Sequence, residues 1–147
     1  MVQFVKLFLK RDLEKLSAEV EQYNIDENLW RVEPVISNSG GNLCLHLVGN
    51  LNHFIGHVLG NTGYVRNRDL EFSLKNVSKS ELITMINETI MMIDSVLAKV
   101  SPEQLKEKYP IEVFGEPMTT EYFLVHLVTH LSYHLGQVNY HRRLLDN

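Results

Sequence analysis

The chain has a single cysteine, no long apolar run and no excess of basic residues, and each shortage excludes a class of protein. Cys44 alone cannot form an intramolecular disulfide, so a reducing compartment is expected. No segment approaches the ~20 apolar residues of a membrane span. The apolar amino end is interrupted by Lys6 and lacks the small-residue cleavage site of a secretory leader. We therefore predict a cytoplasmic protein without a membrane partner.

Acidic residues outnumber basic ones. The 14 lysines and arginines face 18 aspartates and glutamates, which gives a formal net charge of -4 at pH 7. A protein that binds the phosphate backbone usually carries a basic surface, so nucleic acid is not an expected partner. A chain of 147 residues suits one domain and can bury an ordinary core. We predict a single domain over residues 1–147.

Several signatures of catalysis are also missing. The chain contains no Gly-x-Ser-x-Gly motif, no phosphate-binding glycine loop and no set of zinc-binding cysteines. The alternating pattern of β-strands is scarce, whereas apolar residues recur at three- and four-residue steps. This periodicity predicts helices over 2–23, 41–60, 78–100 and 118–145, with an irregular connection over 61–77. The fold is therefore predicted to be all-α, a four-helix bundle of antiparallel type with long connections.

Capping signals support the boundaries of these helices. Ser78 and Glu81 form a capping box at the start of the third helix, and Thr119 or Thr120 caps the fourth. Pro102 is tolerated in a first helical turn, so it predicts a short extra turn of helix between them.

In contrast to its single cysteine, the chain is rich in histidine. The seven histidines fall into two groups at helical spacing, one in each of two predicted helices. They are His46, His53 and His57 in the second helix, and His126, His130, His134 and His141 in the fourth. Residues three or four apart share a helix face, and both histidine lines border the apolar face of their helix. If the two helices meet along these faces, the two lines can converge.

The histidine spacing suits a metal site. Two imidazoles one turn apart, with a third from another helix, can bind one transition metal and leave coordination positions open. His130 and His134 are the predicted pair, His46 is the predicted third ligand, and His53 is its rival on the same face. An open position favours an enzyme. A closed site, with His53 or His126 as fourth ligand, favours a metal-binding stress protein without turnover.

The residues around this pair carry a resemblance to a known family. Residues 130–137 read HLSYHLGQ. Together with His46 early in the second helix, this His-x-x-x-His-x-Gly-Gln segment resembles the DinB/YfiT-like superfamily of four-helix proteins. The resemblance covers the whole chain in element order, and it implies a metal site made by His46, His130 and His134. Residues 66–72, RNRDLEF, are similar to an arginine-rich segment in one branch of that superfamily.

The resemblance also implies an activity. Members include thiol transferases that use low-molecular-weight thiols, so we predict a metal-dependent enzyme that activates a small thiol for transfer to an electrophile. A metal-dependent hydrolase and a non-catalytic metal-binding protein are the alternatives. Three imidazoles suit zinc or nickel, with iron, cobalt or manganese as further choices. Leu135 stands where many members place an arginine, which removes any role of that arginine in substrate binding. No catalytic residue is assigned, and exposed apolar helix faces would permit a homodimer.

Other residues beside the predicted ligands could orient them or face a small-molecule substrate. These candidates are His53, His126, Asn50, Gln137, Tyr122 and Tyr133. The charged residues of the long connection are interpreted as a solvated network, with binding of an acidic substrate as the alternative. They are Arg66, Arg68, Asp69 and Glu71. Gly136 is predicted to let a neighbouring element approach the last helix closely, and His57 and His141 are assigned surface or structural roles.

Overall fold

Helices make up the regular structure of the protein, which a computed structural model describes over residues 1–147. The helices are α1 (Val2–Gln22), α2 (Gly40–Leu51), α3 (Arg68–Ser73), α4 (Lys79–Leu97), α5 (Pro102–Lys106) and α6 (Thr120–Leu145). A 3₁₀ helix covers Asp26–Trp30, and a π-helix over Asn52–Leu59 continues α2 without a break. The all-α prediction is confirmed. No helix has the length and the apolar character to cross a bilayer.

The predicted capping signals act as expected. The Ser78 side chain accepts a hydrogen bond from the backbone of Glu81, and the Glu81 carboxylate accepts one from the backbone of Ser78. Thr119, not Thr120, is the N-cap of α6. The short extra helix is α5, which has Pro102 in its first turn.

Two of the neighbouring helix pairs run antiparallel. Lys6, near the start of α1, forms an ion pair of 2.8 Å with Asp94 near the end of α4. Phe54, in the π-helical continuation of α2, packs on Phe123 near the start of α6, with ring centroids 5.0 Å apart. The pairing of α2 with α6 brings the two histidine-bearing helices together, as the sequence predicted.

The other two neighbouring pairs run parallel, so the four-helix bundle with long connections is not antiparallel at every contact. Glu19 and Arg142, both near the ends of their helices, join α1 to α6 at 2.7 Å. Gly60, at the end of the π-helix, lies against Val96 near the end of α4. The helices therefore run up, down, down and up. Because α2 and α4 share a direction, residues 61–78 must return along the bundle, and this long connection crosses the histidine-bearing face.

The long connection contains a helix that periodicity did not predict. Helix α3 is capped by the Asn67 side chain, which accepts a hydrogen bond from the backbone N–H of Leu70. Its six residues include one buried side chain, Glu71, and Leu70 is exposed. A helix this short and polar leaves no apolar stripe in the sequence.

One continuous apolar core lies between the four long helices. Cys44 on α2 is fully buried in it, and this burial raises the pKa of the thiol to about 12. A thiol protonated at neutral pH is a poor nucleophile and a poor metal ligand, so Cys44 serves as a small core residue.

Candidate metal centre

Three histidines meet where α2 crosses α6. His46 comes from α2, and His130 and His134 lie one turn apart on α6. One ring nitrogen from each lies within 4.8 Å of the others, and Nε2 of His46 is 3.3 Å from Nε2 of His130. Such a group could hold a metal ion. Neither His53 nor His126 belongs to it.

The π-helix accounts for the position of His53. Hydrogen bonds to the fifth residue, in place of the fourth, change the angle between successive side chains from residue 52 onwards. The face that His46 and Asn50 share therefore does not extend to His53 and His57. His53 is half-buried and packs on Phe54 and His57, with ring centroids at 4.8 and 5.9 Å. In the structure His46 lies in the three-histidine group, whereas His53, about two turns further along the same helix, lies outside it.

Hydrogen bonds fix the tautomers of two of the three imidazoles. Nδ1 of His46 is 3.0 Å from a carboxylate oxygen of Glu71, and Nδ1 of His134 is 2.6 Å from the amide oxygen of Gln137. Both partners are acceptors, so both Nδ1 atoms carry the proton. In the neutral rings the lone pairs then lie on Nε2. This is the tautomer that a metal requires when the other nitrogen is held by an acceptor.

Burial keeps two members of the group neutral. Burial lowers the pKa of His130 to about 4, with smaller contributions from neighbouring histidines and Arg66. The pKa of His134 is also lowered, chiefly by burial, although its hydrogen bond with Gln137 opposes the shift. Nδ1 of His130 is buried without a partner. Neutral imidazoles with free lone pairs are the donor set that zinc and its neighbours in the first transition row bind.

Glu71 on α3 contacts one of the three histidines, His46, through its carboxylate. Arg66 donates two hydrogen bonds to its carboxylate, at 2.8 and 2.9 Å. Burial raises the pKa of Glu71, but the hydrogen bonds from His46 and Arg66 and the charge of Arg66 outweigh it and hold the pKa below its usual value. Glu71 is therefore ionised, and it orients His46. The interpretation of Arg66 and Glu71 as a solvated loop network is wrong, since both side chains are largely buried against the histidines.

A cavity of about 440 Å³ opens beside the three histidines. Aromatic, amide and guanidinium groups line it, along with His126. They include Asn50, Phe54, Arg66, Arg68, Phe72 and Phe123. Burial lowers the pKa of His126, whose ring stacks on Phe123 with centroids 5.6 Å apart. His126 therefore faces the cavity as a neutral imidazole.

A comparison with known proteins gives the family of this chain. The family described as protein of unknown function DUF1572 matches residues 3–147. The chain belongs to the DUF1572 family. Its fold is similar to that of a conserved protein from Enterococcus faecalis whose crystal structure is known, with a TM-score of 0.79 and 17% identity over 99% of this chain and 96% of that one. No curated protein matches the sequence.

The remaining candidates of this DUF1572 protein lie at varied distances from the centre. Gln137 contacts His134 directly and also donates to the Tyr133 hydroxyl at 3.4 Å, while Tyr133 itself is exposed. Tyr122 is exposed and does not line the cavity. Arg68 lines the cavity from an exposed position.

Two further histidines and one glycine have structural explanations. His141 is buried between the Tyr23 hydroxyl at 2.7 Å and the backbone oxygen of Arg31 at 2.8 Å, so its role is structural. His57 is exposed. The close approach predicted at Gly136 is wrong, because a Cβ there would meet no atom within 4 Å.

Proposed function

We propose that this DUF1572 protein is a metal-dependent enzyme that activates a low-molecular-weight thiol for transfer to an electrophile. The observation that carries the proposal is the convergence of three imidazoles, from His46, His130 and His134, at the wall of a cavity large enough for a small molecule. No fourth histidine, cysteine, aspartate or glutamate belongs to the group. This favours an open coordination position, and with it an enzyme, over a closed storage site.

The donor set supports zinc or nickel as the metal, with iron, cobalt or manganese as less favoured choices. A divalent ion held by three imidazoles supplies Lewis acidity, which lowers the pKa of a thiol or a water at the open position towards neutrality. Glu71 and Gln137 hold the imidazoles of His46 and His134 in the required tautomer, so that little reorganisation is needed on binding.

Thiol transfer is favoured over hydrolysis by the resemblance to DinB/YfiT-like proteins, which rests on His46 and the His130-to-Gln137 segment. The chain offers no nucleophile of its own at the cavity, because Cys44 is buried in the core. A nucleophile must therefore come from a bound reactant. Leu135 is half-buried against the core, so it does not replace the arginine that many relatives carry at that position.

His126 is the residue we assign to proton transfer. Its ring is neutral at pH 7 and faces the cavity one turn before His130. The thiol S–H bond breaks with its proton passing to the His126 imidazole, and the sulfur forms a bond to the electrophilic carbon. The bond from that carbon to the leaving group breaks, and the leaving group takes the bonding pair together with the proton from His126. Atoms and electrons balance without an external oxidant.

The test is a titration of cobalt-substituted protein with glutathione, bacillithiol and smaller thiols. A sulfur-to-metal charge-transfer band and formation of a conjugate with an alkylating substrate are expected, and both should require the metal. His126→Gln should keep the band but lose most of the turnover. His57→Gln, which changes an exposed histidine outside the cavity, is the matched control.

Either of two results would contradict the proposal and favour another function. Ester or amide cleavage that consumes water, that is lost in His134→Ala and that no thiol affects would make the protein a hydrolase. A spectrum of a closed four-coordinate site, with no response to any thiol, would make it a metal-binding protein without turnover.

A further inference from the structure

We propose that the cavity beside the three histidines binds a small organic anion that also carries an N–H or O–H donor, with the anion on Arg68 and the donor on Asn50. One reactant of the proposed reaction would belong to this class. Only the place of the anion in a reaction depends on the proposed function. Its binding is a separate property of Arg68 and Asn50.

Asn50 has a side chain prepared for a ligand. It lies one turn after His46 on α2, lines the cavity and is 7% exposed. Its Oδ1 is buried and has no hydrogen-bond partner in the protein. The large majority of buried side-chain polar atoms in folded proteins are paired, so the unpaired amide oxygen at this cavity wall is left for a partner that a ligand would supply. That partner must be a donor.

Arg68 supplies the charge at the mouth of the cavity. Arg66, two residues earlier, is committed to the Glu71 carboxylate, whereas Arg68 has no carboxylate within ion-pair distance. Its guanidinium lies over the ring of Phe72, 5.2 Å from the centroid, which limits the orientations it can take. Since the charges of Arg66 and Glu71 offset each other, the guanidinium of Arg68 is the positive charge that remains available at the cavity mouth. Guanidinium groups bind carboxylates and phosphates through paired hydrogen bonds.

The remaining walls set the shape of the ligand. Phe54, Phe123 and Val113 add apolar surface to the cavity wall. A volume of about 440 Å³ lies within the range of small-molecule sites. These features together fit a carboxylate that carries an amide or a hydroxyl and a short apolar segment.

The test measures the equilibrium binding of three probes to the zinc-loaded full-length chain. Calorimetry or NMR titration gives the dissociation constants. N-acetylglycine carries both the carboxylate and the amide donor, butyrate carries only the carboxylate, and N-acetylglycinamide carries only amides. Arg68→Ala should weaken N-acetylglycine and butyrate at least about fivefold and leave N-acetylglycinamide unchanged. Any direct contact of a carboxylate with zinc is the same in both proteins, so the difference reports on Arg68.

The matched control is Arg143→Ala. Arg143 also holds its guanidinium over an aromatic ring, that of Tyr140 at 5.3 Å, but it does not line this cavity. It should change no affinity. Asn50→Leu should weaken N-acetylglycine about threefold or more and leave butyrate unchanged, because only the first probe offers a donor. Retention of zinc and of helical content shows that each variant is folded.

The inference is overturned if wild-type protein binds none of the probes at tens of millimolar, or if Arg68→Ala binds N-acetylglycine as tightly as wild type does. The outcome is separable from the proposed function. If the thiol charge-transfer band is observed but Arg68→Ala changes no probe affinity, only the anion site is refuted. If probe binding depends on Arg68 but the metal spectrum responds to no thiol, only the thiol reaction is refuted.

Discussion

The Glu71 carboxylate lies directly over Gly49, in space that the side chain of any other residue at position 49 would need. Gly49 is three residues after His46 on α2, so the notch it leaves is beside the imidazole. Helix α3 can therefore approach α2 closely enough for Glu71 to reach Nδ1 of His46 at 3.0 Å. A glycine that no sequence motif marks thus leaves the space for the carboxylate that orients a candidate ligand.

Gly49→Ala should weaken metal binding. The added methyl group would overlap Glu71 and displace it from His46. Loss of such an outer partner typically reduces metal affinity by about 10- to 100-fold. Competition with a fluorescent zinc chelator measures the change.

Gly136→Ala is the control for that substitution. Gly136 also lies inside a helix next to a candidate ligand, but a Cβ there meets nothing within 4 Å. It should leave zinc affinity unchanged and raise the free energy of unfolding by about 0.5–1 kcal/mol, because alanine restricts the unfolded chain. Equal loss of zinc affinity in both variants would contradict the role given to Gly49.

Alanine substitutions should show that zinc binding depends on the three clustered histidines and not on His53. His46→Ala, His130→Ala and His134→Ala should each lose most zinc binding, while His53→Ala keeps it, because His53 lies outside the group. In wild type, zinc at a hundredfold excess over its dissociation constant should stabilise the fold by about 2.7 kcal/mol if the unfolded chain binds none. Melting curves with zinc and with chelator test both points. Loss of stoichiometric zinc in His53→Ala but not in His46→Ala would reverse the assignment.

The metal-free protein should lose stability on acidification. The folded-state pKa of His130 is lowered to about 4, whereas an unfolded histidine titrates near 6.5. Between these values the unfolded chain binds more protons than the folded chain, so the free energy of unfolding falls as the pH falls through this window. His130→Gln should reduce the proton uptake on unfolding at about pH 5 by roughly one. Urea titrations at several pH values measure the slope, and an unchanged slope in His130→Gln would show that His130 is not buried as described.

Glu71→Gln should affect both stability and metal binding. The substitution leaves the largely buried guanidinium of Arg66 without its counter-charge, which typically costs about 3–5 kcal/mol in a buried pair. Asp69→Asn, on the exposed side of the same short helix, should cost little. If chemical denaturation finds the two variants equally stable, Glu71 and Arg66 do not form the pair that supports His46.

Local spacing was enough to predict one part of the site. His130 and His134 lie four residues apart in a regular helix, so the sequence alone places them on one face. Their meeting with His46 needed only the pairing of α2 with α6, which the apolar faces of both helices indicated.

Other parts depended on features that local spacing does not encode. Glu71 is 25 residues from His46 in sequence and sits in a helix of six residues without an apolar stripe. The π-helix that separates His53 from His46 has the same composition as an ordinary apolar helix. The parallel course of α2 and α4 depends on the path of a long connection, which helix periodicity does not restrict.

We propose that His46, His130 and His134 together hold one divalent metal and leave a coordination position open. X-ray absorption at the zinc edge, on stoichiometrically loaded protein with and without a small thiol, tests it most directly. We predict three imidazole ligands and one light, non-protein ligand that is replaced by sulfur when the thiol is added. A fourth protein ligand in the resting protein, or a coordination shell that no thiol changes, would contradict the claim.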